Sequence, residues 1–116
     1  MTETTPTKQS ARKADPTTAV LAEVKAARKV LGTRHLPVAG GERPAKGQAY
    51  HQRQSNRWRA IEHSRTLAET SGWDSAVLAA AFGALAETDP EHNRSGLVRL
   101  AAVAVAAVES LDQAAP

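Results

Sequence analysis

The sequence predicts an all-α chain: a four-helix bundle that self-associates, preceded by a disordered N-terminal tail. Three observations carry this. Apolar residues recur at helical spacing, prolines and glycines fall where helices start and stop, and no alternating stretch is long enough for a strand. At 116 residues the chain predicts one domain with one modest core. Hydrophobic residues make up 41%, yet only Tyr50, Trp58, Trp73 and Phe82 are aromatic, so that core must be built from Ala, Val and Leu. Small side chains bury little area per helix, which predicts further burial in a homo-oligomer.

Taken in order, residues 1–14 lack apolar periodicity and read as the tail. A helix is predicted over 15–32, with Asp15 as N-cap, Pro16 in the first position and Gly32 just past the end. Val20, Val24, Ala27 and Leu31 form its apolar stripe. Pro37, Gly40, Gly41, Pro44 and Gly47 make 33–47 a linker. The region 48–112 then holds three helices. The first, Gln48 to Thr70, is basic and closes at Gly72, with Tyr50, Trp58, Ile61 and Ala68 near one face. The next is capped by Asp74 or Ser75 and runs to Glu87, with Val77, Leu78, Ala81, Phe82 and Leu85 inward. Asp89-Pro90-Glu91 repeats the start signal for a last helix to Leu111. That helix is apolar nearly all round from Leu97 to Val108, broken by Arg99 alone, and so belongs at a bundle centre or a subunit interface.

Composition narrows the chemistry. Without cysteine there is no disulfide, thiolate metal site or thiol nucleophile, in keeping with a cytoplasmic location. Met1 to Pro16 has no apolar stretch, so neither a signal peptide nor an anchor is expected. The longest apolar run, Leu100 to Val108, is nine residues. A bilayer needs about 20, so no membrane role is expected. Charge is divided unequally: residues 1–72 hold 13 Lys and Arg against 6 Asp and Glu, whereas residues 73–116 hold 2 against 6. The basic segment favours polyanions such as nucleotides or nucleic acid, or the acidic half of its own or a neighbouring chain.

The stretch from Trp73 through Ala84-Leu-Ala-Glu-Thr-Asp-Pro90 to Ala101-Ala-Val-Ala-Val105 resembles MazG-like nucleotide pyrophosphohydrolases of actinobacterial and phage type. The resemblance covers residues 50–112. It implies an all-α oligomer that uses magnesium to split nucleoside triphosphates into monophosphate and pyrophosphate. In that family Glu-Glu-x-x-Glu on one helix and an acidic residue near the start of the next hold the metal, since hard oxygen ligands suit magnesium. Aligned from Trp73 without a gap, those positions fall on Ala79, Ala80, Gly83 and Gly96. None offers an oxygen ligand from its side chain. The resemblance therefore implies a catalytically degenerate protein, nucleotide-binding or an oligomeric scaffold, with no cofactor. The alternative is an active enzyme with displaced ligands that retains Mg2+.

Other carboxylates are weaker candidates. Glu87, Asp89 and Glu91 cluster around one turn and make a possible metal site, although a helix cap and solvated helix ends explain them more simply. Glu62 and Glu69 are expected to pair with neighbouring arginines. His35, His51, His63 and His92 make no metal spacing and read as surface residues, and the glycines lack the context of a phosphate loop. On the basic helix, Arg53 and Arg57, then Arg59 and His63, are four apart; with Arg65, Tyr50 and Trp58 they are candidates for phosphate or nucleic-acid binding. The plainer expectation is a solvated face with Trp58 in the core.

Overall fold

The computed structural model describes residues 15–114, so the tail expected over 1–14 lies outside the described residues. Among the described residues there are four α-helices and no strand: α1 (Pro16–Leu31), α2 (Pro44–Ala68), α3 (Trp73–Ala86) and α4 (Pro90–Ala114). The described residues fall into two compact units. One comprises residues 35–104; the other comprises the described residues up to Arg34 together with those from Val105 onward.

In the terminal unit, α1 starts at Pro16, whose missing N–H costs nothing in a first turn. Asp15 precedes it but makes no side-chain bond to the helix backbone; its carboxylate instead accepts the Thr18 hydroxyl at 3.4 Å. Gly32 ends the helix at a φ of 74°, a left-handed conformation that glycine adopts without strain. Of the predicted stripe only Val20 is buried, and Val24 remains 46% exposed. The Thr17 hydroxyl donates to Glu109 Oε2 at 2.7 Å, and Val105 is buried.

The central unit opens with residues 35–43 leading to α2. That helix begins at Pro44, earlier than Gln48, and takes Gly47 into its first turns, because Pro44 fits the first helical position. It closes at Glu69 rather than Gly72. Glu69 adopts φ 59°, ψ 39°, its N–H bonds to the Arg65 and Thr66 carbonyls, and the Thr70 N–H reaches the Arg65 carbonyl at 2.8 Å. Capping bonds thus override a left-handed cost of about 1 kcal/mol.

Helix α3 packs on α2. Its N-cap is Gly72, so Asp74 and Ser75 lie within the first turn, where the Ser75 hydroxyl donates back to the Gly72 carbonyl at 3.3 Å. The residues predicted inward, Val77, Leu78, Ala81, Phe82 and Leu85, are half-buried, and the buried ones are Ser75, Ala79, Ala84 and Ala86. A helix apolar on every side carries no periodicity from which to choose a face.

Helix α4 is capped by Asp89, whose Oδ2 accepts the His92 N–H at 3.2 Å. Two contacts tie its start to α3. Asn93 is 8% exposed, and its Nδ2 donates to the Ala84 and Glu87 carbonyls, each at 2.9 Å. A Cβ placed on Gly96 would lie 2.9 Å from both Cα and Cβ of Ala84, so the two helices touch backbone to backbone there. The apolar run of α4 is not enclosed as expected of a bundle centre: Leu97, Val98 and Val108 are exposed. Among the described residues, no helix is long and apolar enough to cross a membrane.

A small-residue cleft between α2, α3 and α4

A cleft of about 590 Å³ lies between the three helices of the central unit. Ala79, Ala80 and Gly83 line it from α3 and Gly96 lines it from α4. Spacings of one and four residues put the first three on one helical face, and the close approach at Ala84 brings the fourth to them. All four positions at which the resemblance places carboxylates therefore share one cavity.

Charged and polar side chains surround this small-residue floor. Arg59 and Glu62 come from α2, Arg99 and His92 from α4, and Glu87 from the end of α3. Arg59 is steadied by Asn56, whose Oδ1 accepts from Nη2 at 3.2 Å. His92 Nδ1 lies 3.2 Å from Asp89 Oδ2, with both side chains at least half exposed, so the pair is weak. Buried Ser55 also lines the cleft, its Oγ 3.6 Å from where a Gly83 Cβ would stand.

The four floor positions offer a metal ion no side-chain oxygen: they carry only methyl groups and glycine backbone, and the carboxylates that line the cleft are Glu62 and Glu87. Among the described residues, no three His, Asp or Glu side chains gather to hold a metal ion. That includes Glu87, Asp89 and Glu91, where Asp89 is engaged by the α4 cap and His92. At Gly96 no side chain fits while α3 keeps its place.

Of the cationic candidates on α2, Arg59 alone lines the cleft. Arg65 Nη1 donates to Asp74 Oδ1 at 2.8 Å. This bond, joined by one from the Ser75 backbone, holds the Asp74 carboxyl below its ordinary range. Arg65 is thus paired with Asp74 rather than with Glu62 or Glu69. The Arg57 guanidinium lies 5.9 Å from the centre of the Trp58 ring, Trp58 is half-buried, and Arg53 is exposed. His51 departs from the surface position expected of it. It is half-buried against Tyr50 and Phe82, with ring centres 5.5 and 6.0 Å away, and its Nδ1 is buried without a hydrogen-bond partner.

Sequence reasoning passed over Arg99, His92 and Ser55 as site residues. Arg99 had a usable signal, being the single charge within an apolar run. Ser55 had none, since a serine on a polar helix looks solvated. The chain matches no protein-family model, no curated protein and no solved structure.

Proposed function

We propose that this chain is a catalytically degenerate MazG-like protein, a helical bundle that self-associates and holds the phosphates of a nucleotide in the α2–α3–α4 cleft. The observation that carries this is the convergence of Ala79, Ala80, Gly83 and Gly96 on one cavity that Arg59 and Arg99 also line. Without carboxylates on the floor, a nucleotide's phosphates meet no clustered negative charge there. Guanidinium groups donate to phosphate oxygens directly, so no bridging cation is needed. With no carboxylate at those four positions, the cleft lacks the ligands by which the family's magnesium activates water and polarises phosphorus, and on this reading binding proceeds without hydrolysis.

Calorimetry with ATP, in magnesium and then in EDTA, tests this alongside a pyrophosphate-release assay. Binding is expected in both buffers with no release, and Arg59→Ala or Arg99→Ala each weakens binding by roughly tenfold. Enzyme-like pyrophosphate release would instead favour displaced ligands, with Glu62 and Glu87 the carboxylates in reach. Absence of ATP binding would leave an oligomeric scaffold. A second function is supported by the exposed side chains of Tyr50, Arg53 and Arg57 on α2, which suit nucleic acid. Binding of single-stranded DNA that falls steeply with salt would support it, and none at low salt would sink it.

A further inference from the structure

A second cavity in the central unit, about 670 Å³ in volume, opens beside the α3–α4 turn. Its apolar wall includes Leu36 and Val38 of the 35–43 segment, Leu85 of α3 and Leu97 of α4. Gln48 and Asn93 supply amide groups, and Glu87, Thr88 and Arg94 also line the cavity. Gln48 Nε2 donates to the Ala86 carbonyl at 2.7 Å, and Asn93 Nδ2 donates to the Ala84 and Glu87 carbonyls at 2.9 Å. These bonds fix which way each amide faces, because a carbonyl oxygen accepts only from the NH2 end. With both Asn93 amide hydrogens committed, its oxygen is the group it has left to offer, and Asn93 is more than nine-tenths buried. The cavity thus combines apolar walls with hydrogen-bond acceptors held by the α3 carboxyl end. Its volume lies within the roughly 300–1,000 Å³ of small-molecule sites.

We propose that this cavity binds a small, largely apolar molecule carrying one N–H or O–H donor. The donor is accepted by the Asn93 and Gln48 side-chain oxygens, and the apolar body lies against Leu36, Val38, Leu85 and Leu97. An acceptor beside an apolar wall discriminates, since a ligand without the donor displaces its water and gives nothing in return. Glu87 lines both this cavity and the nucleotide cleft, but neither Arg59 nor Arg99 lines this one.

Indole, which has an apolar ring and one N–H, is a suitable probe, with 1-methylindole as the same body lacking the donor. Titrated into the isotope-labelled full chain, indole is expected to shift the Gln48 and Asn93 side-chain amide signals and the backbone signals of residues 36–38 saturably. 1-Methylindole is expected to bind about tenfold more weakly, the loss of one hydrogen bond. Asn93→Ala would leave two backbone carbonyls unpaired and endanger the fold, so the variant of choice is Leu36→Glu, at an exposed position outside every helix. It is expected to abolish the indole shifts while the remaining spectrum stays folded. Equal binding of the two probes, shifts confined to residues away from this cavity, or no saturable shift up to the solubility of indole would each overturn the proposal.

Discussion

Gly96 and Gly83 occupy equivalent places in the resemblance and opposite ones in the packing. A methyl group on Gly96 meets Ala84 Cα and Cβ at 2.9 Å, whereas on Gly83 the nearest atom is Ser55 Oγ at 3.6 Å, an ordinary contact. In urea denaturation, Gly96→Ala is expected to lose about 1–3 kcal/mol through overpacking. Gly83→Ala should gain up to about 1 kcal/mol in helix propensity. A stabilised Gly96→Ala protein would show that α3 and α4 are not in backbone contact. Asp74 carries a pH signature. Its carboxyl is lowered in the folded chain, chiefly by the Arg65 bond, so its contribution is complete above the ordinary carboxylate range and disappears as pH falls through the lowered native value. The Tm difference between the native chain and Asp74→Asn should therefore be present at neutral pH and vanish in acid. A constant difference would refute this linkage.

Among the elements, the ends of α2 and α4 make contrasting tests. Asp89 caps α4 through the His92 N–H, so Asp89→Ala should cost about 1 kcal/mol. Glu69 ends α2 in the left-handed region, so Glu69→Gly should stabilise by up to about 1 kcal/mol in the same assay. No gain would mean that another Glu69 interaction offsets its strain. Two helix starts were legible because a proline in the first turn is a steric signal confined to neighbouring residues: Pro16 and Pro90 each begin a helix, as Pro44 also does. The early start of α2 was missed because Gly47 looked like a breaker, although a glycine costs a helix only about 1 kcal/mol. Facing was legible least in α3, where apolar residues surround the axis and neighbouring helices alone decide which are buried.

At the scale of the whole molecule, the large side chains that stay exposed set the expectation of self-association. Val98 is 55% exposed and Leu111 70% exposed on a helix that the sequence marks as interior. Sedimentation is expected to give a dimer or larger species, and Leu97→Glu with Val98→Glu to shift it toward monomer. A monomer at the highest soluble concentration would remove oligomerisation from the proposed function. By itself the sequence determined the all-α class, most helix starts and the absence of carboxylates at Ala79, Ala80, Gly83 and Gly96, because these follow from local spacing and side-chain chemistry. Only the tertiary structure decided that these four positions meet in one cleft with Arg59 and Arg99, and that Gly96 is there to let α4 touch Ala84. Those outcomes depend on distances between backbones far apart in the chain, for which a single sequence carries no local signal.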